Sequence, residues 1–516
     1  MSDKLHDFNG GLVLEDHKLE SSQQALKTCN LPDHLILPLR QHAGEITRPR
    51  VKPGDYVRRN EIIATHSNPD YPPTHAPTSG TVRDISPQPV AHPSGQPDTC
   101  IVIDVGGEDA ALHLEGIGLD EQEPETLIEY IGRAGVVGLG GAVFPTAVKL
   151  SRGRAQPVDT LIINGVECEP YITCDDVLMR CYPHEIIRGI GYLQRILAPA
   201  RTVIAIEDNK PDALAAMRNA LGNHPLPETT IACIPTRYPS GGEKQLVQII
   251  SGQQVPQGKL AMDIGFYCQN IGTCMAIAQA LDHHQPLTSR IVTLTGNNIN
   301  SPGNWEVRLG TPIAHLAEQA DGYRHPAPRL FMGGPLMGFS LSGDNIPITK
   351  ASHCVLAMQS GTTLNSQDQH NECIRCGKCN EVCPASLLPQ QLYWHARSRA
   401  YEQIQDYHLF DCIECGCCAV VCPSQIPLVQ YYRASKSEIR AQHKAALKSN
   451  RARERFEFRE RRLAQRKQQE ETRRRLKREA LQKKRTTTGQ TITPDPVKAA
   501  LERVKARKQT SPTETR

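Results

Sequence analysis

Two cysteine runs between residues 373 and 423 constrain this chain more than any other feature. Each run reads Cys-x2-Cys-x2-Cys-x3-Cys-Pro, and a spacer of 27 residues separates them. Eight thiols at matched spacing predict a site that binds metal through sulfur, since thiolates are preferred ligands of soft metals. Structural zinc, which favours isolated Cys-x2-Cys pairs, and disulfides, which need an oxidising compartment, are alternatives that fit the pattern less well.

The spacing of both runs resembles that of a two-cluster ferredoxin. In such proteins three thiolates of one run hold a [4Fe-4S] cluster, and the fourth cysteine reaches across to the other cluster. The resemblance implies two clusters, one held by Cys373, Cys376, Cys379 and Cys422, and a second held by Cys412, Cys415, Cys418 and Cys383. Cys417 is out of register, and we predict that it is a packed thiol and not a ligand.

Composition indicates a soluble chain of several domains. A length of 516 residues has room for roughly three or four domains. No run approaches the roughly 18 apolar residues that a membrane-spanning helix needs, and the N-terminus lacks the apolar core of a signal peptide. Because eight of the 18 cysteines stand in the two runs, we expect a reducing cytosol.

The charge is unevenly distributed along the chain. Residues 441–516 carry 24 Lys and Arg against 9 Asp and Glu, a net +15, whereas the rest carries 35 against 46, a net −11. The tail, residues 433–516, is rich in helix formers and poor in apolar residues, which predicts a long solvated helix. An anionic membrane surface, at about 1 kcal/mol per basic residue, or an acidic partner fits this charge, and a disordered extension is the alternative. Nucleic acid is not expected, because no recognition module is apparent.

The first third of the chain is β-rich after an N-terminal extension, residues 1–30, that carries little signal. Residues 31–110 contain Gly-Asp-Tyr-Val at 54–57 and Ala-Pro-Thr-Ser-Gly-Thr-Val at 76–82. These motifs resemble the flattened barrel of biotinyl and lipoyl carrier domains. No lysine stands between Ile63 and Ala76, so we expect a barrel-sandwich scaffold without a modified arm.

Residues 120–285 change to an α/β pattern. Buried strands are predicted at 160–166, 202–208 and 231–236, with helices between them, which indicates βαβ units and a parallel sheet. A glycine-rich loop with Gly138, Gly140 and Gly141 leads into a helix, an arrangement that suits phosphate groups. The segment from Asn164 to Glu169 follows a buried strand, where open α/β sheets bind ligands.

Together these stretches, Gly-Leu-Gly-Gly-Ala-Val-Phe-Pro-Thr and Asn-Gly-Val-Glu-Cys-Glu-Pro, resemble the NADH- and FMN-binding flavoprotein subunit of respiratory complex I. The resemblance implies a Rossmann-like flavoprotein domain that binds FMN and NADH. A further patch, Tyr238 to Lys244, is similar to another segment of that family but has Gly242 in place of its first acid. The implied cofactor-binding residues are Gly138, Gly140, Gly141, Phe144, Lys149, Asn164, Glu167, Glu169 and Glu243.

Two further regions complete a multidomain α/β fold. Residues 288–350 resemble the β-grasp module that follows the flavin domain in that family, and residues 365–432 are expected to form an α-helical two-cluster ferredoxin domain. The order of parts resembles the RnfC (RsxC) family, a component of the Rnf (Rsx) ion-translocating electron transport complexes. This resemblance implies a peripheral protein on the cytoplasmic side of the inner membrane, which exchanges electrons between NADH or a ferredoxin and the other subunits.

Two alternatives remain open at this point. The first is a soluble iron-sulfur flavoprotein oxidoreductase. The second is a non-catalytic electron relay that has lost flavin and NADH binding, which the glycine at position 242 favours.

Overall fold

Four folded regions follow one another along the chain. A computed structural model describes residues 4–114, 116, 118, 122–359, 371–487 and 495–508. The chain divides into two compact units, Met1–Lys436 and Ser437–Arg516. The folded regions all belong to the first unit.

The N-terminal extension is part of the first unit, although its polar sequence gave no basis for a prediction. It contains a helical turn, α1 (Leu19–Ser22), and a short strand, β1 (Lys27–Thr28). Lys27 lies opposite Trp305 in a parallel pairing, so β1 is an edge strand of a sheet formed some 280 residues later in the chain. The extension is therefore held by partners that are distant in sequence.

The β-rich region forms two small sheets that share one core. The first sheet has the order β2-β8-β7-β4 and the second the order β3-β5-β6. Leu37, Val57, Ile63 and Ile101 from both sheets pack together, because alternate residues of a strand point to one face. The strands are β2 (His34–Pro38), β3 (Arg48–Pro49), β4 (Tyr56–Val57), β5 (Ile62–Thr65), β6 (Thr74–His75), β7 (Gly80–Gln88) and β8 (Asp98–Val105).

The α/β region forms a four-stranded sheet, and all three strand pairings are parallel as predicted. Its order is β11-β10-β9-β12. The strands are β9 (Thr160–Gly165), β10 (Arg201–Glu207), β11 (Thr229–Ile234) and β12 (Phe266–Asn270). The helices are α2 (Pro124–Arg133), α3 (Thr146–Arg154), α4 (Cys174–Cys181), α5 (Pro183–Leu197), α6 (Pro211–Asn223), α7 (Glu243–Ser251) and α8 (Ile271–His283).

Both faces of this sheet are covered. In β9, Leu161 and Ile163 pack into the core formed with α5 and α8, whereas Ile162 packs into a second core with α7. Burial on both faces explains why these strands read as continuous apolar runs. The carboxyl ends of the four strands consequently meet at one open edge, which is where the side chains predicted to bind a cofactor lie.

A mixed six-stranded sheet follows, with the order β1-β14-β13-β17-β15-β16. Strand β13 pairs antiparallel with β14 and parallel with β17, so the sheet is neither purely parallel nor purely antiparallel. Its new elements are β13 (Ser289–Thr295), β14 (Gly303–Arg308), α9 (Ile313–Gln319), β15 (Arg329–Met332), β16 (Phe339–Ser340) and β17 (Cys354–Met358).

The cysteine region is helical, as its sequence predicts. Within residues 371–436 all regular elements are helices or helical turns. They are α10 (Lys378–Glu381), α11 (Pro389–Arg397), α12 (Tyr401–Asp406), α13 (Cys417–Val420) and the start of α14 (Leu428–Thr487).

The basic tail is a long helix with an exposed surface. Helix α14 extends to Thr487, and α15 (Pro496–Lys508) follows it. Every side chain described from 441 to 484 is exposed, and ion pairs such as Arg466–Glu470 at 3.6 Å link successive turns. The predicted long solvated helix is therefore confirmed. Among the helices that the structure describes, none combines the length and the apolar character needed to span a bilayer.

Candidate functional site

The eight cysteines of the two runs line two separate cavities. Cys373, Cys376 and Cys379 line the first cavity together with Cys422 from the other run. Cys412, Cys415 and Cys418 of the second run line the second cavity together with Cys383 from the first, and the out-of-register Cys417 lines it as well. Each cavity thus combines the first three in-register thiols of one run with the fourth thiol of the other.

Left-handed backbone conformations recur at matched positions in the two runs. Gly377 has φ +83° and Gly416 has φ +82°, and each directly precedes a helical turn, α10 or α13. Arg375 and Glu414, two residues before these glycines, also have positive φ, at 58° and 60°. Glycine adopts this conformation without strain, which allows the backbone to wrap closely around each cavity. The two runs therefore fold as a repeat.

The second cavity is the more deeply buried of the two, as its thiols indicate. Cys415 and Cys418 are buried, whereas Cys376 at the first cavity is exposed. Burial raises the pKa of Cys412 to about 11, and a nearby Lys436 ammonium opposes that rise. Because the thiolate is the form that ligates iron, loading a cluster here must release protons.

Two cations support the second cavity from the start of α14. Lys436 Nζ donates to the Cys412 carbonyl at 2.6 Å and to Glu414 Oε1 at 2.8 Å. Arg433 Nε donates to Glu414 Oε2 at 3.0 Å. Cys417, the out-of-register thiol, is fully buried against Tyr238 and Cys415.

The glycine-rich loop lies at the carboxyl edge of the parallel sheet, and three regions hold it. The Leu139 amide donates to Thr273 Oγ1 at 2.9 Å, and Arg290 from the mixed sheet donates to the Leu139 carbonyl at 3.1 Å. The Ala43 amide of the β-rich region donates to the Val143 carbonyl at 3.1 Å. Protein contacts from three regions thus hold the loop in place.

The geometry of this loop fits a phosphate-bearing group. Gly141 has φ +104°, is exposed, and has nothing near the position that a Cβ would take. A Cβ at Gly140 would lie 3.3 Å from Asn270 Cβ, a tight contact that glycine avoids. The Thr146 hydroxyl, at the first residue of α3, is buried and has no hydrogen-bond partner. A buried orphan hydroxyl at a helix N-terminus suits an anionic ligand.

The predicted residues Lys149 and Glu243 lie beside each other. Lys149 Nζ donates to the Cys268 carbonyl at 2.5 Å, lies 5.0 Å from the ring centre of Tyr267, and is 3.4 Å from Glu243 Oε2. Glu243 begins α7, with 41% of its side chain exposed. Phe144 is half-buried beneath the Arg152 guanidinium, at 5.6 Å.

Polar side chains end three neighbouring strands of the sheet. Asn164 donates from Nδ2 to the Gly241 carbonyl at 2.9 Å. Asn270 donates to Asp175 Oδ2 at 2.7 Å. Glu207, at the end of β10, forms a buried ion pair with Lys210 at 2.9 Å, which sequence reasoning missed. The sequence contained a signal for Glu207, because this residue ends an apolar strand at the same edge of the sheet as Asn164.

The two predicted glutamates of the segment after β9 have protein partners. Glu167 accepts the amide of Asp175 at 2.6 Å and so caps α4, and burial raises the pKa of Glu167 to about 8 against the opposing charge of Lys18. Glu169 accepts the amides of Leu336 at 3.0 Å and Met337 at 2.8 Å. The two glutamate side chains therefore link the carboxyl edge of the parallel sheet to helix α4 and to the loop at Leu336 and Met337.

This edge abuts the second cysteine cavity. The Tyr238 hydroxyl donates to the Cys415 carbonyl at 2.5 Å, and Cys168 packs in the same apolar cluster. A Cβ at Gly416 would lie 3.0 Å from the Leu336 carbonyl, so the loop that Glu169 holds also touches the cavity wall. The Tyr238 loop and the segment after β9 thus lie against the wall of the second cavity.

Four family models match the chain in the order that the sequence predicts. They are the RnfC barrel sandwich hybrid domain at residues 6–108, the Nuo51 FMN-binding domain at 131–279, the SLBB domain at 291–340 and the 4Fe-4S dicluster domain at 372–426. The second range contains the nine predicted cofactor residues, and the last contains all eight cysteines.

Known proteins with these domains are similar over nearly the whole chain. The RnfC component of the ion-translocating oxidoreductase complex of Pectobacterium carotovorum subsp. carotovorum (strain PC1) is 46% identical over 513 residues, 99% of this chain and 67% of that protein. The same component from Vibrio cholerae serotype O1 (strain ATCC 39541 / Classical Ogawa 395 / O395) is 46% identical over 517 residues, 99% of this chain and 66% of that protein. The chain belongs to the RnfC family of ion-translocating oxidoreductase complexes. It spans about two thirds of the length of these family members.

As a member of the RnfC family, the chain has the multidomain α/β organisation that its sequence predicts. It carries an FMN-binding domain of the Nuo51 type and a 4Fe-4S dicluster domain. A chain of the NAD+-reducing [NiFe]-hydrogenase in the H2-reduced state aligns with a TM-score of 0.44 at 17% identity, covering 63% of this chain and 67% of that one. A similarity this weak says nothing about function.

Proposed function

We propose that the chain is a peripheral electron-transfer subunit that takes electrons from NADH through FMN and passes them along two [4Fe-4S] clusters to other subunits of an ion-translocating complex. The observation that carries the proposal is the contact between the carboxyl edge of the sheet and the second cavity, through Tyr238 and Cys415. A flavin edge and a cluster must lie close together for electrons to pass between them.

The glycine-rich loop would hold FMN. Its glycines, Gly138, Gly140 and Gly141, with Lys149 would contact the phosphate and ring, and Phe144 would line the nucleotide groove. Asn164, Glu167, Glu169 and Glu243 complete the proposed flavin and NADH contacts. A bound flavin accepts two electrons as a hydride and releases them singly, which is the chemistry needed between a nicotinamide and one-electron clusters. The chain's own residues bind and orient the cofactor, while Arg290 and Ala43 hold the loop in place.

The two cavities would hold one cluster each. Cys412, Cys415, Cys418 and Cys383 would ligate the cluster next to the sheet, here called the near cluster. Cys373, Cys376, Cys379 and Cys422 would ligate the far cluster. The exposure of Cys376 supports an exit toward a partner at the far cluster.

The finer domain assignment is part of the same proposal. It comprises an extension at residues 1–30, a barrel-sandwich domain at 31–110, a Rossmann-like domain at 120–285, a β-grasp module at 288–350, a helical ferredoxin domain at 365–432 and a tail at 433–516. Part of the expected ferredoxin domain, residues 365–370, lies outside the described residues.

Location and partners follow from this function. We place the chain on the cytoplasmic side of the inner membrane, where other subunits of the complex accept or supply the electrons, with NADH or a ferredoxin at the soluble end. The exposed basic helix after residue 440 would contact an anionic membrane surface or an acidic partner. Recovery of the chain wholly in the soluble fraction of cells that contain all the partner subunits would contradict this location.

NADH titration of the protein reconstituted with FMN, iron and sulfide tests the function directly. We expect NADH to bleach the flavin absorbance and the cluster absorbance together, and to produce the electron paramagnetic resonance signal of reduced [4Fe-4S] clusters. A protein that holds both clusters and FMN but is not reduced by NADH contradicts the NADH-linked activity.

A second candidate is an electron relay that binds neither flavin nor NADH. The observation that favours it is that Glu167 and Glu169 already accept backbone amides, while Gly242 stands in place of an acid. The same titration separates the two candidates, because a relay retains clusters that dithionite reduces yet takes up no FMN.

A further inference from the structure

The N-terminal residues 7–18 run along the site and contact three parts of it: the Val382–Cys383 loop, the loop that carries Tyr238, and the segment after β9. Sequence reasoning treated this stretch as part of an extension with little signal, whereas its backbone is in contact with both cofactor regions. The stretch is here called the strap, and its contacts lie at three places along its length.

At its first contact the strap passes directly over the near-cluster loop. The Gly11 amide donates to the Val382 carbonyl at 3.0 Å. A Cβ at Gly10 would lie 2.6 Å from the Val382 carbonyl carbon and 2.7 Å from that of Cys383. Gly10 also has φ +64°, so two independent constraints require glycine next to a proposed cluster ligand.

At its second contact the strap pairs with the loop that carries Tyr238. The Leu12 amide donates to the Tyr238 carbonyl at 2.7 Å, and the Tyr238 amide donates to the Leu12 carbonyl at 2.8 Å. Arg237, the residue before Tyr238, also holds the strap. Its guanidinium pairs with Asp7 at 2.5 Å and lies 4.6 Å from the ring centre of Phe8. The strap therefore pairs with the backbone of Tyr238, the residue whose hydroxyl donates to the Cys415 carbonyl.

At its third contact the strap enters the proposed flavin region. Lys18 is buried, and its ammonium group donates to the carbonyls of Glu167 at 2.9 Å and Glu169 at 3.0 Å. The Tyr171 amide donates to the Asp16 carbonyl at 2.8 Å. One extended stretch thus binds the segment after β9 at one end and the Cys383 loop at the other.

We propose that the strap is a positioning element that sets the distance between the flavin and the near cluster, a role that rests on the proposed function. In the step concerned, one electron leaves the reduced flavin and one oxidised [4Fe-4S] cluster takes it up, so the cluster gains one negative charge. The rate of such a step falls steeply with distance. A contact that fixes the Val382–Cys383 backbone against the sheet edge therefore controls the rate without touching either cofactor.

The variant Gly10→Ala tests the strap, and Gly95→Ala is its matched control. Gly95 has the same φ, +64°, but nothing lies within 4 Å of the position that its Cβ would take. Both variants carry the same backbone strain, and only Gly10→Ala places a methyl group against the near-cluster loop. A second variant, Arg237→Met, lies outside the strap but is grouped here with Gly10→Ala as a strap variant, because it removes the ion pair with Asp7 and the contact with Phe8. It loosens the strap without adding bulk, which guards against a folding defect in Gly10→Ala.

Two measurements on the reconstituted full chain decide the matter. The first needs no NADH and has two readouts. One is the rate of amide hydrogen exchange at Gly11, Leu12 and Tyr238, and the other is the reduction potential of the near cluster in a dithionite titration. We expect faster amide exchange and a shifted reduction potential in both strap variants, with unchanged iron content. Gly95→Ala should show wild-type values.

The second measurement is stopped-flow mixing with NADH. We expect flavin reduction to keep its rate while near-cluster reduction slows about tenfold or more in the strap variants.

Each outcome bears on the proposal. Faster amide exchange in the strap variants with wild-type potential and wild-type cluster reduction would overturn the positioning role. Exchange that stays at the wild-type rate in both strap variants would overturn it as well, because the contacts would then not hold the strap. If the wild-type chain itself is not reduced by NADH, the proposed function fails, and the first measurement still decides whether the strap positions the near cluster.

Discussion

Lys350 is a buried lysine at the junction of the β-rich, α/β and mixed-sheet regions. Its ammonium group donates to the Gly135 carbonyl at 2.7 Å and to the Pro73 carbonyl at 3.4 Å. Burial lowers the pKa of Lys350 to about 7. A neutral amine can still donate to these carbonyl oxygens, and burial disfavours the charged form, so the folded chain holds this residue uncharged at alkaline pH.

This burial predicts a pH dependence of stability. Between about pH 7 and the unfolded pKa of about 10.4, the unfolded chain binds one more proton at Lys350 than the folded chain. The contribution of Lys350 to the free energy of unfolding therefore rises with pH in that window, by at most about 1.4 kcal/mol per pH unit. Buried thiols and Glu167, whose pKa values are raised, contribute in the opposite direction in the wild type and in Lys350→Met alike. In urea denaturation at pH 7, 8 and 9, the stability of the wild type should therefore rise with pH relative to that of Lys350→Met.

The exposed Lys52 provides the control, because Lys52→Met removes a lysine that is not buried. We expect its pH dependence to match that of the wild type. Parallel curves for the wild type and Lys350→Met would contradict the uncharged state of the buried lysine.

The residues that sequence reasoning found differ in kind from those it missed. The eight cysteines follow a local spacing that resembles that of two-cluster ferredoxins, and they line two cavities, with Cys417 beside the second group. Lys18 and Gly10 act through contacts with segments more than 100 residues away, and neither lies in a spaced motif. Arg290 likewise reaches the glycine-rich loop from another region. Such residues have no local signal.

At the scale of elements, the apolar runs of the parallel sheet were the easiest strands to predict. The strands expected at 160–166, 202–208 and 231–236 are present at Thr160–Gly165, Arg201–Glu207 and Thr229–Ile234. Strands β1 and β12 were not predicted. Strand β1 has only two residues and is recognised only through its pairing with β14 at Trp305. Strand β12 is short and ends in the polar pair Gln269–Asn270, so its apolar residues are too few to indicate a strand.

The packing of α5 against α8 predicts a large difference between two glycines of one helix. A Cβ at Gly189 would lie 1.9 Å from the Cys274 carbonyl oxygen, whereas a Cβ at Gly191 would lie 3.4 Å from Leu226 Cδ2. Gly189→Ala must push the helices apart, and we expect a loss of about 3 kcal/mol in the free energy of unfolding. Gly191→Ala should instead be neutral or stabilise by up to about 1 kcal/mol, since alanine favours a helix.

Urea denaturation of the two glycine variants measures this difference. Both changes add one methyl group to the same helix, so intrinsic propensity is matched and only the close approach differs. Equal effects of the two substitutions would contradict the helix contact.

At the scale of the whole molecule, the first unit brings one end of a parallel sheet against one of two cysteine cavities. The order of the regions along the chain was predictable, because each region carries its own motifs. Which cavity faces the sheet was not predictable, since it depends on contacts such as those of Tyr238 with Cys415 and of Glu169 with Leu336. Under the proposed function, these contacts place the near cluster between the sheet edge and the far cluster, so electrons from NADH would reach the near cluster first.

Removing one cluster at a time makes this direction testable. Cys383→Ala should damage the near cluster, although Cys383 belongs to the first run, and Cys422→Ala should damage the far cluster. Cys417→Ala is the control and should leave both clusters intact, since we predict that Cys417 is a packed thiol. Iron content and electron paramagnetic resonance after dithionite reduction identify which cluster each variant retains.

The most direct test of the account is the rate at which NADH reduces the remaining cluster in Cys383→Ala and Cys422→Ala. We predict a near-wild-type rate for the near cluster in Cys422→Ala. For the far cluster in Cys383→Ala we predict a rate at least about tenfold slower, because its electron source is then too distant. Fast reduction of the far cluster in Cys383→Ala, together with loss of near-cluster reduction in Cys422→Ala, would contradict the account.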